Sequence, residues 1–570
     1  MDKAEIAVIL DDIAAMLELK GENPFRVRAY QNGARALLAS SEDLGALVQE
    51  GRLTDIKGIG KGLAENITSL VQTGKLPFYD ELRKSLHPGL LELVRLQGVG
   101  PKKAVVLYEK LGIKDIPTLK KAAEEGKIAK LKGFGETTQA NILKGIEFHS
   151  QHASEHLLDD AQESAGFVLG ELKKLRGVKR SSVCGSLRRH KEIVRDVDIL
   201  ISSDNAKPIM EKFVGLPGVT RVLGQGETKS SVLFHNGVQV DLRVVTDEQF
   251  PFALHYFTGS KEHNIVMRQR AQAHGYKLNE YGLLKGTTAT KCKDEAQLFE
   301  KLGLTYIPPE LREDRGEFEA AEKKKLPTLI ETKDLRGVFH VHSTWSDGTV
   351  ELEGMIQEAQ DMGFEYVGIS DHSQLAAYAH GLQPDRVRQQ GKVIEKLRKQ
   401  FKIHIFWGTE CDVLMDGAMD YSDDILKNYD FVIASVHSGF KLPEAEMTAR
   451  IQKALQNKYV TILGHVTGRL LLRRQGYALR LDEVLKTAAQ EEVAVEINSL
   501  ADRLELDWRD IPRAKSFGCR FMIDPDAHSR GDLHGFSRGI GIARKGWLTR
   551  DDVVNTLPLE SMVRWLKARR

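Results

Sequence analysis

Apolar residues recur at helical spacing from the start of the chain. IAVILDDIAAMLEL and RVRAYQNGARALLA repeat them every three or four positions, which predicts amphipathic helices through residue 50. Beyond about residue 155 the pattern becomes alternating strands and helices. VDILIS, SSVLF and VQVDLRVV read as strands, and Asn236-Gly237 between the last two is a hairpin signal. From residue 337 seven apolar runs, GVFHVH, YVGIS, HIFWGTE, FVIASVH, VTILGH, VAVEIN and CRFMID, alternate with helical stretches. That alternation predicts a parallel sheet, and seven units predict a closed or nearly closed barrel. Residues 308–336 are highly charged, carry Pro308, Pro309 and Pro327, and read as a linker with a short helix. The expected fold class is multidomain α and α/β: a helical N-terminal region, a central mixed or antiparallel sheet and a C-terminal (βα)7-type barrel.

Composition narrows this picture little. The 570 residues are enough for several domains, and 41% hydrophobic with 28% charged residues describes an ordinary soluble protein. No apolar run reaches the roughly 18–20 residues of a membrane span. MDKAEIAVIL carries acids where a secretory leader wants basic residues, so the expected location is cytoplasmic. The four cysteines are scattered with no C-x-x-C pair, which fits a reducing compartment and excludes a zinc knuckle. The net charge of +2 is uninformative, but residues 51–150 hold 17 Lys/Arg against 11 Asp/Glu, a local excess that suits a polyanion.

One phrase recurs in that basic region. LTDIKGIGKGLAENI, LVRLQGVGPKKAVVLYEKLGI and IAKLKGFGETTQANILKGI share a Gly-x-Gly core: Gly58 and Gly60, Gly98 and Gly100, Gly133 and Gly135. Each core lies between helical segments. Glycine permits positive φ and close approach, and the N–H groups opening the next helix can hold a phosphate. This is the helix-hairpin-helix pattern of DNA-binding proteins, which grips backbone rather than bases. Three copies favour phosphate gripping by at least two over plain helix connections. Lys61, Lys102 and Lys103 add charge beside the turns.

The candidate chemistry begins at VCGSLRRHKEIVRDVDILIS. Asp196 and Asp198, at i and i+2 of a strand, point the same way, while Val197 and Ile199 face a core. Two adjacent carboxylates repel and call for a divalent cation, and oxygen-only ligands suit Mg²⁺. A solvated strand edge is the plainer reading. Gly185-Ser186 and a third carboxylate, Asp241 on the returning hairpin strand, favour a two-ion site for in-line displacement at a phosphate. Gly185 and Ser186, at a strand-to-helix turn, would bind a triphosphate through backbone N–H groups, with Arg188 and Arg189 as charge partners.

The order Gly-Ser, Asp-x-Asp, single Asp, then YFTGSKEHN resembles the X family of DNA polymerases, within the wider nucleotidyltransferase class. The resemblance implies that Tyr256, Phe257, Thr258 and Gly259 contact the sugar of the incoming nucleotide and help exclude a 2′-hydroxyl. KLNEYGL resembles a later segment of the family, with Asn279, Glu280 and Tyr281 near the nascent pair. Arg268, between the two motifs, would contact template or primer. Core packing for the rings and a solvated helix face for Arg268 are the other readings. One departure concerns the lysine nucleophile of animal members: matching GIGKGLAEN to that segment puts Asn66 at the nucleophile and Gly62 beside it. An amide cannot form an imine, so 5′-deoxyribose phosphate lyase activity is expected to be weak or absent.

The ends of the barrel strands carry a second constellation. His340 and His342 close the first strand, with Asp347 just beyond. His372, Glu410, His437 and His465 close the second to fifth, and Asp526 and His528 follow the seventh. Strand C-termini are where such barrels place their chemistry. Nine potential ligands on one rim suit two or three ions of Mn²⁺, Fe or Zn²⁺. With F-H-V-H-S near its start and D-A-H-S near its end, the set resembles the polymerase-and-histidinol-phosphatase (PHP) domain, and every ligand position of that family has a match. The resemblance implies phosphoester hydrolysis by metal-activated water. Arg469 would hold a substrate phosphate or form an ordinary ion pair, and Glu496 would support a ligand rather than be one.

Together the resemblances imply an N-terminal DNA-binding domain (1–85), a fingers-like region with the second and third hairpins (86–152), a palm (153–249), a thumb-like subdomain (250–312), a linker (313–335) and a PHP metallohydrolase domain (336–570). The expected function is gap-filling DNA synthesis in base-excision repair, with Mg²⁺ at the palm. The PHP domain is expected to act as a Mn²⁺-dependent 3′→5′ exonuclease, or in abasic-site incision or 3′-end cleaning. The partners would be gapped or nicked DNA and dNTPs, and the protein a monomer. Two other readings are a small-phosphoester hydrolase with a DNA-tethering arm and a non-enzymatic scaffold at DNA ends.

Overall fold

The computed structural model describes residues 3–39, 44–56, 58–87, 89–96, 99–152 and 154–568. The helices Lys3–Leu19 and Pro24–Ala39 lie against each other around Leu10, Ile13, Leu37 and Ile67. A second helical core gathers Leu93, Leu107, Leu119 and Ile142. The three Gly-x-Gly turns share one construction. The residue between the glycines, Ile59, Val99 or Phe134, is buried, and its N–H donates to the carbonyl three residues back at 3.0 Å. A helix then begins at Lys61, Pro101 or Glu136. Gly58 and Gly133 hold positive φ, while Gly98 lies outside the described residues.

The central sheet has five strands: β1 (Arg180–Val183), β2 (Asp196–Ser202), β3 (Val219–Gln225), β4 (Lys229–Phe234) and β5 (Gln239–Val245). Their order is β1-β2-β5-β4-β3. β2 and β5 run parallel and the other pairs antiparallel, so the sheet is mixed as expected. Val197, Ile199 and Ile201 of β2 bury their side chains against the helix Leu158–Leu172. Two helices, Phe250–Thr258 and Lys261–Ala273, and a small antiparallel sheet over 277–290 follow.

The barrel strands are β6 (Gly337–Val341), β7 (Tyr366–Ile369), β8 (His404–Asp412), β9 (Phe431–Ser435), β10 (Ile462–Leu463), β11 (Ala494–Asn498) and β12 (Phe521–Asp524). They are all parallel and follow sequence order. The Ala527 N–H donates to the His340 carbonyl and the His342 N–H to the Ala527 carbonyl, at 2.9 and 2.8 Å, drawing the last strand back to the first. Phe339, Phe406, Phe431 and Met522 form a buried layer sealed by Met562 and Leu566 of the final helix.

The stretch 313–335, expected as a linker with a short helix, carries the helix Glu317–Glu322 and packs against its neighbours. Phe318, Leu329 and Ile330 are buried, and the Ile330 N–H donates to the Leu548 carbonyl at 3.0 Å. Glu313 is matched rather than solvated: it meets Arg189 at 3.0 Å and Lys545 at 2.5 Å. The sheet and barrel also touch directly. Buried Glu192 accepts from Trp508 Nε1 at 3.0 Å and from Arg509, and Arg538 pairs with Asp159 at 2.8 Å. Among the described residues no helix is long and apolar enough to cross a membrane.

Candidate active sites

The sheet site is set by register. Asp198 on β2 lies directly opposite Asp241 on β5, one pair along from Val197 and Val240. The alternation that buries the valines therefore turns both carboxylates to the other face, where Asp196 joins them. Burial pushes the Asp198 carboxyl up to about 7, helped by Asp196 and Asp241; the same causes raise Asp196. Two carboxyls that resist ionising, set beside Asp241, fit a site built for divalent cations. Lys229 Nζ at 3.3 Å from Asp241 and Gln239 Nε2 at 2.9 Å offset part of the repulsion.

Gly185 opens the short helix Gly185–Arg188 with φ +62°, and a Cβ there would stand 2.5 Å from Asp198 Oδ2. Only glycine brings the turn this close to the carboxylate. Ser186 follows on the same turn. Phe257 borders a small cavity with Cys184, Asp198, Lys229 and Asp241, and Tyr256 packs edge-on to Phe257 at 5.2 Å. Arg268 is exposed on its helix. Asn279 Oδ1 accepts the N–H groups of Tyr281 and Gly282 at 3.0 Å, fixing the turn that follows it.

Arg188 and Arg189 correct the expectation of charge partners for a triphosphate. Arg188 forks onto Glu295 at 2.6 and 3.1 Å and donates to Thr258 Oγ1 at 2.6 Å. Arg189 is buried, pairs with Glu313 and donates to the Thr258 carbonyl. Both guanidiniums hold the turn around Thr258-Gly259 instead, and a Cβ on Gly259 would lie 3.2 Å from Arg189 Nη1. Nothing local in GSLRRH shows that Glu295 and Glu313 claim the pair. In the first helical lobe, Asn66 Nδ2 donates to Tyr30 Oη at 3.0 Å.

The barrel rim gathers all nine nominated residues. Glu410, at the end of β8, is the hub: it lies 3.0 Å from His372 Nδ1, 2.9 Å from His465 Nε2, 3.2 Å from His437 Nε2 and 3.3 Å from His340 Nε2. Asp526 stands 3.4 Å from both His340 Nε2 and His342 Nε2, and Asp347 3.3 Å from His528 Nε2. Ligand atoms within 4.8 Å of one another form three sets: His342, Asp347, His372 and His528; His340, His342 and Asp526; His372, Glu410 and His437. Shared members across three sets fit two or three adjacent ions. Burial disfavours a charged Glu410, but His372, His340 and His437 outweigh it and hold the carboxyl well below the usual range. His340 Nε2, both His342 nitrogens and His372 Nδ1 are buried without a hydrogen-bond partner, as lone pairs awaiting a metal would be. His340 and Asp526 also sit at positive φ, a strained backbone at two of the ligands.

The supporting shell is equally specific. Glu496 contacts His340 Nδ1 and accepts from the His465 N–H, so it orients ligands from behind as expected. Arg469 takes the ion-pair alternative, with Asp507 at 2.6 Å and the carbonyls of Arg503 and Leu504. Three residues escaped the sequence reading. Asp412 Oδ1 lies 3.1 Å from His437 Nδ1, Asn498 Nδ2 donates to Asp526 at 2.9 Å, and Arg503 Nε, buried and without a hydrogen-bond partner, lies 3.6 Å from Asp526. Asp412 and Asn498 stand two residues beyond Glu410 and Glu496 on their strands, so the period of two was the signal for them.

A carboxylate trio on a mixed sheet and a ligand-rimmed barrel, held in one chain, define a nucleotidyltransferase joined to a metal-dependent phosphoesterase. Comparison with known families agrees along the chain. Residues 1–76 match the helix-hairpin-helix domain, 90–147 the SAM-like helix-hairpin-helix tandem, 253–313 the DNA polymerase beta thumb and 339–500 the PHP domain. The chain is 37% identical over the whole of both sequences to a Bacillus subtilis protein named DNA polymerase/3'-5' exonuclease PolX. It is also 33% identical to a Repair DNA polymerase X of African swine fever virus, over 25% of this chain and 86% of the relative. The chain belongs to the X family of DNA polymerases, in the form that carries a C-terminal PHP domain.

Proposed function

We propose that the chain fills short gaps in DNA during repair and trims 3′ ends with its PHP domain. The in-register pairing of Asp198 with Asp241, with Gly185 turned against Asp198, carries the polymerase reading. In this reading Asp196, Asp198 and Asp241 hold two Mg²⁺ ions, which when bound neutralise charge on the attacking and leaving oxygens. The primer 3′-hydroxyl gives its proton to solvent as its oxygen bonds to the α-phosphorus of a dNTP, the bond from that phosphorus to the bridging oxygen of the β-phosphate breaks, and pyrophosphate leaves. The N–H groups at Gly185 and Ser186 bind the triphosphate. Tyr256, Phe257 and Gly259 line the sugar, Asn279 fixes the turn beside the nascent pair, and exposed Arg268 meets template or primer.

Gly58, Gly60 and Lys61, with Gly100 and Lys102, hold DNA phosphates at the first two hairpins. The third helix opens on Glu136, and that carboxylate makes Gly133 and Gly135 the weaker grip. At the PHP rim the nine ligands hold two or three ions, Mn²⁺ in preference to Zn²⁺ or Fe. Arg503 is placed to take a phosphate oxygen. A water oxygen bonds to phosphorus, the bond from phosphorus to the 3′-oxygen of the penultimate nucleotide breaks, a proton from the water passes to that oxygen, and the terminal nucleoside monophosphate leaves. The partners are gapped or nicked DNA and dNTPs, the protein acts as a monomer, and its compartment is the cytoplasm.

The test uses a labelled primer at a one-nucleotide gap, with Mn²⁺ and with or without dNTPs. Asp196→Ala/Asp198→Ala is expected to lose extension and keep primer shortening; His340→Ala/His342→Ala is expected to do the reverse. Chelation by EDTA stops both reactions. A wild type that does neither but cleaves histidinol phosphate would return the small-phosphoester reading.

A further inference from the structure

The loop that leaves β7 carries a feature the metal chemistry does not use. Between His372 and the helix Pro384–Gln400, the chain lifts Tyr378 into solvent with 68% of its surface exposed. Its ring centre nevertheless lies 6.3 Å from the rings of both His372 and His437. An aromatic side chain left in water beside a metal centre is unusual, because burying it would be favourable.

The exposure is not slackness of the loop. Leu382 N–H donates to the His372 carbonyl at 2.9 Å, closing the loop at its base, and Leu375 N–H donates to Asp420 at 2.8 Å. Arg386 clamps the His380 carbonyl at 2.8 Å, and Ala376 and Ala379, on either side of the tyrosine turn, are buried. A Cβ on Gly381 would stand 1.9 Å from the Ser373 carbonyl oxygen, so the loop closes here only with glycine. Tyr378 is therefore presented on a braced turn. Two further exposed apolar side chains, Leu375 and Met415, leave the ends of β7 and β8 on the same rim. With Tyr378 they are three of the ten exposed large hydrophobics among the described residues, all three in loops that leave the C-terminal ends of barrel strands.

We propose that Tyr378 is a stacking platform for the unpaired 3′-terminal nucleobase at the mouth of the PHP rim. With the terminal phosphodiester at the ligands, the attached base has an aromatic face within one ring of His372 and His437. Stacking on a ring tolerates every base, as a nuclease that trims any sequence requires. A paired base has both faces covered by its neighbours and must leave the duplex to reach the ring. That step costs least at a mismatch, so a mismatched end is the substrate on which the contribution of the ring is read most directly.

The proposal rests on the reading that the rim cuts 3′ ends, and the experiment separates the two. His340→Ala/His342→Ala must abolish shortening of every substrate; if it does not, the reading of the rim fails irrespective of Tyr378. Wild type, Tyr378→Phe and Tyr378→Ala are then compared in Mn²⁺ on primers ending in a mismatched nucleotide or in a tetrahydrofuran abasic residue, which has no base to stack. Extension by the same preparations reports on folding. For the mismatched end, Tyr378→Ala is expected to lower kcat/KM about tenfold, with Tyr378→Phe close to wild type. All three proteins are expected to cut the abasic end at equal rates. Equal loss on both ends, no loss on either, or failure of phenylalanine to restore the rate would overturn the platform.

Discussion

At Gly185 three demands meet in one backbone position. The turn must end a strand, open a helix and pass a carboxylate whose oxygen lies 2.5 Å from where a Cβ would be. A methyl group there must displace either the turn or Asp198, and positive φ adds strain. Gly185→Ala is expected to lower primer extension at least tenfold while leaving primer shortening within about twofold, measured on the gapped substrate. Small residues next to catalytic side chains thus carry information that neither charge nor hydrophobicity reveals. The same holds at His340 and Asp526, whose left-handed backbone is legible only in the folded chain.

At the scale of elements, the turn at Thr258-Gly259 is secured by a buried triad. Glu295, 4% exposed, takes Arg188 at 2.6 Å and Arg312 at 2.6 Å. Burial would raise its carboxyl, but the two guanidiniums prevail and hold it down at about 2. Glu295→Ala leaves buried Arg312 and partly buried Arg188 without their shared acid, and is expected to destabilise the protein by about 3 kcal/mol in chemical denaturation. Elements of this kind divide what a sequence shows from what it hides. The strand carrying Asp196 and Asp198, the Asn236-Gly237 hairpin and the seven barrel runs were legible because their signals are local and periodic. The nine rim residues were legible because they fall at the ends of strands or in the first residues beyond them. The commitments of Arg188 and Arg189 were not, since their acids lie more than a hundred residues away. The packing of 313–335 was hidden likewise, because its partners, among them Lys545, come from a distant element.

The whole molecule joins its two chemistries through a polar seam. At that seam His190 lies against Gly541 and its Nε2–H donates to the Arg538 carbonyl at 3.0 Å. Burial pushes the His190 imidazole down to about 4, against the pull of that hydrogen bond and of Glu310, with Lys545 and Arg544 adding to the depression. Between pH 6.5 and 4 the unfolded chain thus binds a proton that the folded chain refuses. Its contribution to stability is complete above pH 6.5 and is lost as pH falls towards 4. His190→Asn is expected to flatten this part of the curve, so that the melting temperature falls less between pH 7 and 5 than in the wild type. A variant that keeps the full wild-type slope would show that the histidine does not titrate with folding.

Glu192 gives the seam a meaning for descent. Its carboxylate belongs to the sheet half, yet both of its partners, Trp508 and Arg509, belong to the barrel half. A recombinant that joined this sheet to a foreign barrel would bury an acid with no answering donor, at a cost of several kcal/mol. Exchange at the boundary is thereby penalised wherever the incoming half lacks a tryptophan and an arginine at those places. The sheet half and the barrel half are held together by contacts that neither active site requires.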